Sequence, residues 1–162
     1  KKEYIELIVE MDADFSHNPR ELKEKIEFFK RHELDMLIAS RYAKNSKIVN
    51  WNIFRRIFSH LSNFLARLLL RIPCTDYTNG FRFYSRRAAE TVLYNCGKIG
   101  GGFIVLSEIL VEIHSKNYKI AELSTTFVNR KRGQSSVSLK LIISSLFGLV
   151  KLYYLKKRKH KI

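Results

Sequence analysis

Apolar runs alternate with amphipathic stretches through the first two thirds of the chain, and the pattern predicts its elements. Residues 4–9 read as a buried strand that ends at Glu10-Met11-Asp12-Ala13-Asp14. Asn18-Pro19-Arg20-Glu21 is a helix start, with Asn as N-cap, Pro at N1 and Glu at N3. Leu22, Ile26 and Phe29 carry that helix to about His32. Met36-Leu37-Ile38-Ala39 is a second short buried strand, followed by an Asn/Lys-containing loop. Residues 51–71 are expected to form an amphipathic helix. Phe54, Ile57, Phe58, Leu61, Phe64, Leu65, Leu68 and Leu69 keep helical spacing there, and Pro73 stops it. Residues 81–84 read as a strand, and 87–94 and 106–116 as helices separated by Gly100-Gly101-Gly102. Residues 118–123 and 125–129 read as two short strands. This alternation argues an α/β domain with a mixed or mostly parallel sheet.

The last segment differs. Residues 139–155 are seventeen mostly apolar positions, with Lys140, Ser144, Gly148 and Lys151 on one helical stripe. At ~1.5 Å per residue such a helix reaches about 25 Å, short of a hydrocarbon core of about 30 Å. An interfacial amphipathic helix with the basic tail Lys156-Lys157-Arg158-Lys159-His160-Lys161 is the expected arrangement. The chain therefore divides into a domain over residues 1–137 and a membrane-interface segment over 138–162.

Charge sharpens this picture. Thirty Lys and Arg against fifteen Asp and Glu give a net charge of +15, which calls for a polyanionic neighbour. Between Met36 and Thr75 there is no acid, but there are seven basic residues: Arg41, Lys44, Lys47, Arg55, Arg56, Arg67 and Arg71. With 46% hydrophobic residues the chain is neither disordered nor a bundle of membrane spans. Two cysteines without a CxxC or Cys/His cluster argue against a disulfide scaffold or a structural zinc, and suit a reducing compartment.

Against the basic background, Asp12-Ala13-Asp14 at a strand end is a candidate site. In an extended segment the two carboxylates share one side and point into the crevice where α/β sheets bind ligands. Such hard oxygen ligands suit Mg²⁺ or Mn²⁺; the plainer alternative is a solvated turn ahead of Pro19. Arg55, Arg56 and Arg67 taken singly read as a solvated helix face, and the five histidines form no catalytic constellation.

Five segments in order carry a resemblance: Asp12-Ala13-Asp14-Phe15-Ser16-His17-Asn18-Pro19, Ala39-Ser40-Arg41-Tyr42, Arg55-Arg56-Ile57-Phe58-Ser59, Asp76-Tyr77-Thr78-Asn79-Gly80-Phe81-Arg82 and Arg130-Lys131-Arg132-Gly133-Gln134-Ser135. Together they resemble the dolichol-phosphate mannose synthase branch of family 2 glycosyltransferases, polyprenol-phosphate glycosyltransferases of GT-A fold. The resemblance implies the C-terminal portion of that fold, a mixed sheet flanked by helices, with the N-terminal nucleotide-binding strands missing. It implies a metal-dependent, inverting transfer of mannose or glucose from a nucleotide diphosphate sugar (GDP-mannose or UDP-glucose) to a polyprenyl or dolichyl phosphate. By the same resemblance, Asp12, Asp14 and Ser16 hold Mg²⁺ or Mn²⁺, Ser16 standing where other members often carry Gln. Arg41, Arg55, Ser59 and Arg130 grip donor and acceptor phosphates, and Asp14, Asp76, Arg82 and Glu108 form the catalytic set around the sugar.

The residue types agree with that chemistry. A departing diphosphate is stabilised by a cation and arginines, and an acceptor that is already a phosphate anion needs no general base. The expected location is peripheral, at the cytoplasmic face of an anionic membrane. The alternatives are a glycan or other lipid acceptor or, in a different class, a basic binding fragment. No specific nucleic-acid partner is expected, because no nucleic-acid motif is present.

Overall fold

The structure is a computed structural model that describes residues 5–129 and 139–159. In chain order its elements begin with β1 (Leu7–Glu10), a 3-10 turn (Pro19–Glu21), α1 (Leu22–Arg31), β2 (Met36–Ser40), β3 (Lys47–Val49) and α2 (Ile53–Leu70). They continue with β4 (Arg82–Ser85), α3 (Arg86–Asn95), α4 (Phe103–Ser115), β5 (Ile120–Ser124), β6 (Thr126–Val128) and α5 (Leu139–Lys159). The main sheet has the order β1-β4-β2-β5; β4 runs antiparallel to both β1 and β2, and β2 pairs in parallel with β5. The expected α/β architecture with a mixed sheet is what forms.

β2 sits inside the sheet and is buried along its whole length, which is why it reads as an unbroken apolar run. Leu37 and Ala39 face a core shared with Phe29, Leu34, Phe81 and Phe83, beneath α1. Met36 and Ile38 face the larger core on the opposite side, built with Leu70, Ile109, Leu110, Ile113, Leu149 and Leu152 from α2, α4 and α5.

Two expectations need correction. The first strand is not buried: Ile8 and Val9 are exposed, and among the described residues β1 lies at the edge of the sheet, paired with β4. The loop after β2 contains a strand, β3, which pairs in parallel with β6 to make a second, two-stranded sheet. Its run Lys47-Ile48-Val49 is too short to announce itself by alternation. The apolar spacing expected of α2 is real and divides between two sides, with Leu65 and Leu69 packed against the larger core. Phe54, Ile57, Leu61, Phe64 and Leu68 are all more than half exposed, while Asn63, Ala66 and Leu70 point inward.

The C-terminal helix also departs from its expected stripe. Ser144 and Lys151 are exposed, but Gly148 is buried against α4, where an added methyl would come within 2.6 Å of Ile104 Cγ1. Only a residue without a side chain lets α5 approach that closely. Leu149 and Leu152 dock on the core, leaving Leu146, Phe147, Val150 and Tyr154 outside beside Lys151 and Lys157. α5 is thus docked on one side and apolar on the other. No helix among the described residues is long and apolar enough to cross a membrane.

Candidate active site

The acidic motif lies on a bend, not in the extended segment its spacing suggested. The strand ends at Glu10, and Asp14 Oδ1 accepts the amide of Ser16 at 3.0 Å, closing a turn with its own carboxylate. Phe15 takes the left-handed conformation, φ 62°, that this turn requires. From the other side, the amide of Val128 donates to the Ser16 carbonyl at 3.0 Å, so β6 anchors the bend. Ser16 is buried behind it, Asp14 is half-buried, and the Asp12 side chain is 60% exposed. Gly80 lies alongside Asp12: a methyl there would stand 3.6 Å from Asp12 Oδ1.

Arg41, just past the end of β2, forms the centre of a buried polar hub. Its amide and Nε donate to Asp76 Oδ2 at 2.9 and 2.8 Å, and its Nη2 donates to Asp76 Oδ1 and Thr78 Oγ1, both at 2.7 Å. Burial pushes the Asp76 carboxyl up, but the Arg41 charge and the amides of Arg41 and Thr78 outweigh it and hold it below its ordinary value. Burial likewise disfavours the Arg41 cation. Asp76 more than reverses that, and the negative charge of Asp12 adds to it, so bend and hub share one electrostatic field.

The hub is itself held. Glu122 of β5 accepts the Thr75 amide and hydroxyl at 2.8 and 2.9 Å and the Asp76 amide at 2.9 Å. Asn63 of α2 accepts the Tyr77 amide at 2.7 Å and donates to the Ser59 carbonyl at 2.9 Å. Arg82 is fully buried and donates to the carbonyls of Asn79, Tyr77 and Leu106 at 2.8, 3.0 and 2.7 Å, fastening the turn after Asp76 to α4. Asp76 and Arg82 are therefore both buried and committed to hydrogen bonds within the protein.

The remaining basic residues gather around aromatic rings. Trp51 lies between two guanidiniums, Arg55 at 4.4 Å and Arg41 at 5.4 Å from the ring centre. Arg55 also donates to Asn129 Oδ1 at 2.8 Å. Phe127 is the shared contact, with His17 at 5.1 Å, Trp51 at 5.3 Å and Arg41 at 5.7 Å. One buried ring of β6 thus touches His17 of the acidic bend, Arg41 and Trp51, and Arg55 joins through Trp51. Ser59 joins through Tyr42, whose hydroxyl donates to Ser59 Oγ at 2.6 Å.

Glu108 is not brought into this group by any described contact. It is buried in α4 and accepts the amides of Gly97 and Lys98 at 2.9 and 3.3 Å, closing the loop between α3 and α4. Arg130 and its motif lie outside the described residues.

Sequence reasoning missed Asn63, Trp51, Glu122 and His17. For Asn63 a signal existed: Arg55, Ser59 and Asn63 recur every four residues, a polar stripe on a helix otherwise read for its apolar face. Glu122 is the last acid in the chain and stands alone before a long basic stretch. Trp51 and His17 carried no signal beyond their neighbours.

Residues 4–93 match the glycosyl transferase family 2 domain. The chain is 32% identical over 134 residues to an undecaprenyl-phosphate mannosyltransferase of Micrococcus luteus, covering 82% of this chain and 54% of that protein. It is 29% identical over 141 residues to a polyprenol monophosphomannose synthase of Mycolicibacterium smegmatis, covering 87% of this chain and 52% of that one. The chain spans about half the length of these relatives. The ordered motifs, the mixed α/β sheet and the domain match agree, and the chain belongs to glycosyl transferase family 2.

Proposed function

We propose that the protein containing this chain transfers a hexose, mannose before glucose, from a nucleotide diphosphate sugar to a polyprenyl phosphate at a membrane surface. The observation that carries this reading is the contact of Phe127 with His17 of the acidic bend, with Arg41 and with Trp51, on which Arg55 lies, so that the acidic motif and two arginines are linked through two rings. The names of the two relatives point to the same acceptor class.

A divalent cation suits the donor set. Among the described residues no three His, Cys, Asp or Glu side chains cluster as a metal cage. Asp12 and Asp14, with the buried Ser16 as the third position, leave most of a Mg²⁺ or Mn²⁺ shell to water and diphosphate oxygens, which is how Mg²⁺ is usually held. When bound, the cation offsets the charge that develops on the departing diphosphate. Arg55, poised on Trp51, presents a planar fork to phosphate oxygens. Arg41 is held in place by Asp76, and its positive charge lies in the field of Asp12. Arg130 and Ser59 complete the phosphate-gripping set, while Asp76 and Arg82 shape the sugar pocket; Glu108 instead closes the loop between α3 and α4.

The outward apolar stripe of α2 and the outer face of α5 seat the protein on an anionic leaflet, with Lys151 and Lys157 beside the apolar side chains. Asp14→Ala in the whole protein is expected to lower transfer at least about 100-fold, the scale of losing one charge-stabilising group. Transfer at the wild-type rate would refute the assignment of the bend.

A further inference from the structure

The side chain of His17, on the acidic bend, is wholly buried, at 0% exposure, and among the described residues neither ring nitrogen has a hydrogen-bond partner. Buried polar atoms are nearly always satisfied, so an imidazole left open on both nitrogens calls for a reason. Its ring is wedged between Phe81, with centres 5.0 Å apart, and Phe127, at 5.1 Å. This packing fixes the direction of Nε2, which lies 3.4 Å from Asp12 Oδ2, close but off the line of a hydrogen bond. The carboxylate itself is mostly exposed, with Gly80 alongside it and the Arg41 charge within its field.

We propose that His17 is a positioning residue for Asp12. With a proton on Nε2 it would donate to Oδ2, closing the 3.4 Å gap, and so hold Asp12 with Oδ1 turned toward a cation. A rigid buried donor behind an exposed carboxylate removes the freedom that the carboxylate would otherwise lose on binding. This inference rests on the reading of Asp12 as a cation ligand.

The test is Mn²⁺ binding to the full chain without any sugar donor, read from the electron paramagnetic resonance signal of free Mn²⁺. His17→Phe fills the slot between the two phenylalanines without an N–H, and His17→Gln returns an N–H near Nε2. The Mn²⁺ dissociation constant is expected to rise about 10- to 100-fold in His17→Phe and to return to within roughly threefold of wild type in His17→Gln. The thermal midpoints of the two variants should stay alike. Unchanged Mn²⁺ binding in His17→Phe, or equal weakening in both variants, would overturn the positioning role while leaving the cation site standing. If Asp12→Asn binds Mn²⁺ as wild type does, or wild type takes up none, the underlying cation reading falls and His17 with it.

Discussion

α2 and α4 are both rich in apolar residues, yet they dispose of them in opposite ways. α4 buries Ile104, Ile109, Leu110, Val111 and Ile113, together with Glu108 and Glu112, in the core beside the sheet. α2 turns Phe54, Ile57, Leu61, Phe64 and Leu68 to the outside and keeps Arg55, Ser59 and Asn63 toward the protein. The difference lies in what the inward face can bond to. The inner stripe of α2 meets Tyr42, Tyr77 and Asn129, whose hydroxyl, amide and side-chain carbonyl need partners. Leaving such groups unpaired in the interior costs about 1–3 kcal/mol each, enough to fix the orientation of a helix whose apolar face has somewhere else to go. A hydrophobic period identifies the faces of a helix; the hydrogen-bonding demand of its neighbours decides which face goes in.

The sharpest way to break the polar side of this contrast is Asp76→Asn. It leaves the Arg41 cation buried without its counter-charge and is expected to cost about 3–5 kcal/mol, seen as a lower urea midpoint. It also changes the pH dependence. Because Asp76 titrates below its ordinary 3.8 when folded, its stabilisation is complete above that value and is lost as pH falls through the folded value. The Asn variant should show a shallower loss of stability in acid, with Asp35 and Glu21, also held below their ordinary values, supplying the remainder.

Next in size is the apolar side. Leu110→Ala in α4 opens a cavity in the core and should cost about 2–5 kcal/mol. Equal costs for Leu110→Ala and for a truncation on the α2 stripe would erase the distinction between the helices.

The smallest stability effect belongs to Leu61→Ser with Phe64→Ser on α2, expected to stay within about 0.5 kcal/mol of wild type for each exposed site. Binding to vesicles containing anionic lipid should nevertheless weaken at least about tenfold, since an apolar side chain of this size contributes roughly 1.5–3 kcal/mol when buried. Undiminished sedimentation with vesicles would mean that the stripe serves another purpose.

Much of the fold was legible because its signals are local. Asn18 caps the first helical turn through Arg20, Pro73 follows the end of α2, and the apolar run of β2 marks a strand buried on both faces. β3 and β6 were not legible as a pair, because three-residue strands acquire meaning only from each other. At the site, the acids and arginines could be picked out by type and order, but their division of labour could not. That Asp76 and Arg82 are fully buried while Asp12 is open depends on contacts between segments 35 to 74 residues apart, such as Arg41 with Asp76 and Arg55 with Asn129. Gly148 was read as part of a polar stripe because its absence of a side chain is informative only once α4 is beside it.

The most direct measurement is a solvent-extraction assay on the whole protein. Labelled GDP-mannose or UDP-glucose is incubated with polyprenyl phosphate and Mn²⁺, and the organic phase is counted with and without EDTA. Label in the organic phase that EDTA abolishes is the predicted result, and the donor that delivers it names the sugar. An organic phase without label for every donor, in a protein that still binds Mn²⁺ and nucleotide diphosphate, would contradict polyprenyl phosphate as the acceptor.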